Sequence, residues 1–223
     1  MRRFFVPPAS LDGEQIALNG DVLRHMAVLR LKAGDEVLLL DGSGRVARCR
    51  IETLERRHGV AHPLERWQET ESALPLHLLQ GSPKGDKLEL VLQKGTELGI
   101  TRFTPVLCGR SVAGRGKGGD SRRQRWQKVV VEAARQCRRP VLPQLEAATG
   151  LDEALANCRE PLRLMLWEEG ARPLAEVLPA ERPEAVAVLV GPEGGFSAAE
   201  GILATMAPRA SCTVNRPSVT GPE

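Results

Sequence analysis

Val188-Leu189-Val190-Gly191-Pro192-Glu193-Gly194-Gly195-Phe196-Ser197 passes from an apolar, β-branched run into a glycine turn and then into a helix start. The run over 185–190 predicts a short, fully buried strand. The three glycines are expected to take positive φ and to let a ligand approach the backbone closely. Ser197, with Glu200 three residues on, predicts a capping box for the helix that follows. Strand, glycine turn and helix start in this order are where an open α/β sheet places a nucleotide-like ligand. The alternative is a tight strand-to-helix connection with no ligand. Glu193 among the glycines would repel a phosphate, so an adenosine or a sulfonium suits the turn better.

Working outward, 223 residues with 42% apolar and 26% charged side chains suffice for one large domain or two smaller ones. No apolar run approaches the ~20 residues that span a bilayer. The start, Met1-Arg2-Arg3-Phe4-Phe5-Val6-Pro7-Pro8, has too short an apolar run for a signal peptide. A cytoplasmic protein with no membrane association is therefore expected. The five cysteines are odd in number, widely spaced and never in a C-x-x-C, which predicts reduced thiols. His58 and His62 lack the context of a metal site, and no metal is expected.

The net charge of +3 is unevenly spread. Residues 1–70 carry 11 basic and 10 acidic side chains, 71–150 carry 14 and 7, and 151–223 carry 6 and 11. A concentrated basic middle predicts a polyanion-binding surface.

The first seventy residues suggest a small β-rich unit, with strands at 16–18, 36–40 and 46–51. Asp41-Gly42-Ser43-Gly44 forms a hairpin turn between the last two. One helix is expected over 21–31, capped by Asp21. The polar stretch Gln68-Glu69-Thr70-Glu71-Ser72 marks a boundary, giving domains 1–72 and 73–223. Beyond it strands and helices alternate: strand 74–80, helix 86–98, strand 103–108, a Gly/Arg-rich loop over 109–119, and helix 121–139. Strand 162–167, short helix 172–178 and strand 185–190 follow. That alternation predicts a mostly parallel sheet covered on both faces.

On the helix over 121–139, Trp126, Val130, Ala133 and Cys137 share one apolar stripe, while Lys128, Arg135 and Arg139 lie about 200° around. Residues 110–139 hold ten basic and two acidic side chains. Phosphate contacts, rather than a merely solvated face, are expected from Arg2, Arg3, Arg30, Lys84, Arg110, Arg115, Lys117, Arg122, Lys128 and Arg135. Three Trp, four Phe and no Tyr make an aromatic stacking platform improbable. Gly95, within Gln93-Lys94-Gly95-Thr96-Glu97-Leu98-Gly99, costs its helix roughly 1 kcal/mol relative to Ala, which suggests close packing or close approach of a ligand.

In family order, Arg3-Phe4-Phe5-Val6, His25 with Val28-Leu29-Arg30, Gly34-Asp35 and Asp41-Gly42 come first. Lys84 with Asp86-Lys87, the 93–99 run, Arg110-Ser111, Arg125-Trp126, Glu132-Ala133-Ala134, Gln136-Cys137, Arg139, Pro143 and finally 191–197 follow. With these motifs the chain resembles the bacterial RsmE-type methyltransferases, which methylate N3 of a uridine in 16S ribosomal RNA. The resemblance covers about 1–200. It implies a PUA-like N-terminal β-barrel that binds RNA. It also implies a SPOUT-type α/β domain with a mostly parallel sheet and a trefoil knot, binding S-adenosylmethionine and working as a homodimer on the small ribosomal subunit. It places Leu166, Gly191, Pro192, Glu193, Gly194 and Gly195 at the cofactor. For catalysis the expected groups are Arg139, stabilising the uridine anion, and Glu97, taking the N3 proton.

Near its end the chain departs from the family pattern, approximately Leu-Gly-x-Arg-Ile-Leu-Arg-x-Glu-Thr-Ala, and has Ala210-Ser211-Cys212-Thr213-Val214-Asn215-Arg216-Pro217 instead. The family's segment threads the knot and walls the cofactor pocket. Two alternatives follow: an RNA-binding relative that has lost activity with an incomplete knot, and an enzyme using another nucleotide cofactor. The second lacks a G-x-G-x-x-G after its first strand and any P-loop.

Overall fold

A computed structural model of the chain describes residues 1–71, 74–110, 119–167, 173–206 and 212–214. It divides into two compact units: Met1–Ser72 with Val131–Leu142, and Ala73–Val130 with Pro143–Glu223.

The first unit holds β1 (Arg2–Phe5), β2 (Ile16–Leu18), α1 (Gly20–Val28), β3 (Glu36–Leu40), β4 (Arg45–Leu54) and β5 (Gly59–Gln68). Its sheet runs β1-β3-β4-β5-β2, parallel only between β1 and β3. Phe4, Ile16, Leu18, Met26, Val37, Leu39 and Ile51 are all but fully enclosed in its core. The hairpin turn forms as expected: Asp41 Oδ1 accepts from Ser43 N at 2.8 Å, and Gly42 and Gly44 have φ of 83° and 97°. The strand β5 is absent from the sequence reading because its middle is polar and contains Pro63. It pairs antiparallel with β4 across two register shifts, one of them where Pro63 sits. α1 begins after Asn19 instead of Asp21 and ends at Val28. Arg30 then takes a left-handed φ of 55°.

The second unit holds β6 (Leu76–Gly81), α2 (Lys87–Glu97), β7 (Arg102–Leu107), β8 (Gln144–Leu145), β9 (Thr149–Gly150), α4 (Leu151–Asn157), β10 (Leu162–Leu166), α5 (Leu174–Val177), β11 (Val186–Val190), α6 (Ala198–Met206) and β12 (Cys212–Val214), with α3 (Gly119–Gln136) reaching from it into the first. Its strands run β12-β10-β11-β6-β7-β8 and every pairing is parallel, the α/β sheet predicted from the alternation. β12 lies in register with Leu164 to Leu166, so the altered C-terminal stretch supplies a strand of the sheet.

Gly95 has a packing explanation. A Cβ there would stand 2.7 Å from Cε1 of Phe103, so its absence lets α2 lie directly on β7. Trp126, Val130 and Ala133 of the predicted stripe are buried. Cys137 is exposed, because α3 stops at Gln136 and Arg138 turns left-handed with φ 62°. A non-glycine residue there costs about 1–2 kcal/mol.

Candidate cofactor and RNA site

Parallel strands in the second unit bring their carboxyl ends to one edge, and the glycine turn leaves β11 there. Leu166 closes β10 directly opposite Val190 and is 39% exposed, an apolar surface beside the turn. Only Gly195 takes a positive φ, 66°, and its missing Cβ faces open space. Gly191 is needed for room instead: a Cβ there would sit 3.0 Å from the Phe196 ring, whereas one on Gly194 would make ordinary contact with Arg110 at 3.4 Å. Pro192 packs on Gly81 so closely that a Cβ there would be 2.6 Å from its ring.

Three polar contacts fasten the turn. Gln80 donates through Nε2 to Gly191 O at 3.3 Å, Arg110 donates through Nη1 to Gly194 O at 2.9 Å, and Lys87 donates through Nζ to Glu193 at 2.7 Å. Lys84 adds its backbone N–H to Glu193 at 3.1 Å. The Lys87 ammonium, with backbone N–H groups of Glu193 itself and Lys84, holds the Glu193 carboxyl down at about 2. Its charge is therefore already matched by Lys87. The capping box forms as predicted: Glu200 Oε2 accepts from Ser197 N at 2.8 Å, while Ser197 Oγ accepts from Glu200 N at 3.3 Å. Glu200 also accepts from Gly109 N at 2.7 Å. Burial opposes ionisation of Glu200, but these N–H donors outweigh it and hold the carboxyl below its usual range.

The two expected catalytic groups, Glu97 and Arg139, are each held in an ion pair. Glu97 ends α2 and pairs with Lys94 at 2.8 Å. Thr101, four residues on, donates to Leu76 O at the start of β6, whereas the glycine turn meets the end of β6. Six residues of strand put these places roughly 17 Å apart, so Glu97 belongs to the opposite edge of the sheet. Arg139 lies beyond α3, not on its basic face, and is only 9% exposed. Its Nε and Nη2 close on Glu71 at 2.8 and 2.6 Å.

The basic candidates separate. Arg2, Arg3, Arg30 and Arg135 belong to the first unit; Lys84, Arg110, Arg122 and Lys128 belong to the second. Arg115 and Lys117 lie outside the described residues. Arg3 is held by Glu69 at 3.1 Å, and Arg135 by Glu132 and by His25 Nδ1.

Sequence reasoning missed Lys87 as a site residue, although Lys84 and Lys87 flank a helix start. It also missed a buried network at the amino edge of the sheet. There His77 Nδ1 meets Glu160 at 2.8 Å, His77 Nε2 meets Thr104 Oγ1 at 2.8 Å, and Cys158 Sγ donates to Glu160 at 3.1 Å. Burial lowers the His77 pKa and pushes the Cys158 thiol up to about 11. These three side chains could together approach a metal ion, but each is already hydrogen bonded, and Arg102 stands 3.9 Å from Glu160. Among the described residues no helix is long and apolar enough to cross a membrane.

The parallel α/β sheet with a glycine turn on its carboxyl edge, in a chain that also carries a small five-stranded sheet, is the architecture of an RNA-modifying transferase class, as comparison with known proteins shows. A family model described as an RNA methyltransferase domain matches residues 70–215, and one described as an RNA methyltransferase PUA domain matches 18–63. The chain belongs to this family of RNA methyltransferases, in its ribosomal RNA small subunit methyltransferase E branch. It is 32% identical over 201 residues to ribosomal RNA small subunit methyltransferase E of Mycobacterium tuberculosis, covering 87% of this chain and 76% of that protein. The crystal structure of the Neisseria gonorrhoeae enzyme of that name, bound to S-adenosylmethionine, superposes with a TM-score of 0.87 at 30% identity. The match covers 97% of this chain and 90% of the other. A methyltransferase from Legionella pneumophila with bound S-adenosylmethionine gives 0.86 at 27% identity, covering 99% and 89%. The domain match continues to residue 215, into the altered stretch, and nothing in these likenesses favours an inactive relative.

Proposed function

We propose that this chain transfers a methyl group from S-adenosylmethionine to N3 of one uridine in 16S ribosomal RNA of the small ribosomal subunit. It does so in the cytoplasm and as a homodimer. The observation that carries this reading is the 191–195 turn, fastened by Gln80, Lys87 and Arg110 at the carboxyl edge of a parallel sheet. Residues 73–223 serve as the catalytic domain and 1–72 as the RNA-binding domain. The strand order β12-β10-β11-β6 supports a knotted return of the chain, since it leaves β11 and comes back on the far side of β10.

The turn fits the cofactor: Gly195 faces open space, Gly194 adds no side chain, and Leu166 offers an apolar wall. S-adenosylmethionine, when bound, supplies an electrophilic methyl on its sulfonium. The residues of the chain contribute position and charge. N3 of uridine carries a proton at neutral pH, and its loss leaves an anion spread over O2 and O4. A guanidinium fixed beside that anion lowers the barrier. Arg110, anchored on Gly194 O, takes this role in place of Arg139, whose fork is occupied by Glu71. Glu97 is not retained as the base; the N3 proton passes to solvent water before the methyl is transferred. Lys84, Arg122, Lys128 and Arg30, all exposed, are assigned to phosphates, and N3 must be unpaired or flipped out to be reached.

The test incubates the purified chain with S-adenosylmethionine and small subunits lacking the modification, then maps methylated uridine by mass spectrometry. N3-methyluridine at a single site is expected. No product, with an active relative run alongside, overturns the assignment.

A further inference from the structure

Within the first unit, β1, the end of α1 and the end of α3 enclose a cavity of about 260 Å³ lined by Arg2, Arg3, His25, Arg135, Gln136 and Arg138 among others. Four arginines face two carboxylates, Glu69 on Arg3 and Glu132 on Arg135. The side chains of Arg2 and Arg138 make no hydrogen bond or ion pair among the described residues. The buried Nε of Arg135 also lacks an acceptor, which is costly unless a further acceptor enters.

Arginines also gather at helix C-termini to answer the carbonyl dipoles. That explanation accounts for Arg3, whose Nη1 donates to Arg138 O at 3.3 Å just past α3, but not for Arg2 and Arg138. The last carbonyls of α1 and α3 are already met by backbone N–H groups: His25 O, Ala27 O and Met26 O by residues 29–31, and Ala133 O, Ala134 O and Arg135 O by residues 137–139. Arg138 moreover occupies a left-handed position that glycine fills without strain. A strained residue retained with an unengaged guanidinium points to use of that guanidinium.

We propose that this cavity seats one phosphate group of the RNA strand, with Arg138 and Arg2 as donors and Arg135 supplying supporting charge. His25 fits the same seat. Its Nδ1 accepts from Arg135 at 3.0 Å, so the neutral ring carries its proton on Nε2 and remains a donor. The volume is just below the ~300 Å³ at which small-molecule pockets begin, which suits a phosphodiester rather than a whole nucleotide. The site rests on the chain acting on RNA.

The experiment measures, for wild type, Arg138→Gly and Arg2→Ala, RNA affinity against salt, melting temperature and S-adenosylmethionine affinity. Arg138→Gly relieves backbone strain, so its melting temperature is expected to hold or rise while RNA affinity falls about tenfold, and the salt slope shrinks by about one contact. Arg2→Ala should act in the same direction, and cofactor affinity should not change. Wild-type RNA binding with both variants equal to it overturns the phosphate seat and leaves the methyltransferase reading standing. Wild type that binds cofactor but no RNA overturns both. Inorganic phosphate or pyrophosphate that raises the melting temperature of wild type but not of Arg138→Gly, with RNA affinity unchanged by the variants, overturns the RNA source in favour of a free phosphate.

Discussion

Lys87 donates through Nζ to Glu193 Oε1 at 2.7 Å, tying the first turn of α2 to the glycine turn after β11, 106 residues later in the chain. The contact makes the candidate cofactor turn a joint product of two strand ends rather than a property of its own glycines. Removing the ammonium in Lys87→Ala should leave the fold intact and weaken S-adenosylmethionine binding several-fold, as read by calorimetry. Because the Glu193 carboxyl is held at about 2, it stays ionised from pH 4 upward. Cofactor affinity should then show no titration from this residue between pH 5 and 9. An inflection near pH 4–5 that vanishes in Glu193→Gln would refute the pairing.

Arg110→Ala tests the charge beside the turn. With its anchor on Gly194 O, it should lower the methylation rate by about a hundredfold, with cofactor affinity changed far less. Loss confined to RNA affinity, with turnover at saturation intact, would return Arg110 to simple phosphate binding.

The pair between Arg139 and Glu71 makes Arg139 a stability residue. Arg139→Ala should cost about 2–3 kcal/mol in urea unfolding, since it strands a largely buried carboxylate. Any loss of activity should follow the folded fraction. A variant that stays as stable as wild type yet turns over poorly would restore the catalytic role expected from the sequence.

Gly95→Ala should destabilise the second unit by about 1–2 kcal/mol. The clash with Phe103 outweighs the gain in helix propensity. The urea midpoint should fall at unchanged m-value.

His77 carries the acid sensitivity of the sheet's amino edge. Burial lowers its pKa in the folded state, so the unfolded chain takes up a proton below about pH 6.5 that the folded chain refuses. Stability present above that pH is lost as pH falls toward the lowered folded value, with the slope of one proton. Glu160, also held low, adds a loss of the same sign further into acid. In His77→Gln the slope near pH 6 should flatten, whatever happens to overall stability; an unchanged slope would assign it elsewhere.

What could be read from the chain alone was whatever short stretches determine through their own neighbours. The capping box of Ser197 and Glu200, the turn at Asp41 and the strand–helix alternation of the second unit need only residues a few positions apart, because periodicity and capping are local physics. The same holds for the place of the glycine turn, at the end of a buried strand. Tertiary structure alone decided the partners that chemistry depends on. Glu71 and Arg139 stand 68 residues apart, and His77 and Glu160 stand 83 apart. The edge to which Glu97 belongs follows from the direction of α2 between two parallel strands. β5 forms because β4 and β2 offer it hydrogen bonds on both sides, although its own polar sequence does not announce a strand. Local free energies can be summed along a sequence, but a charge finds its partner only where the packed chain brings them together.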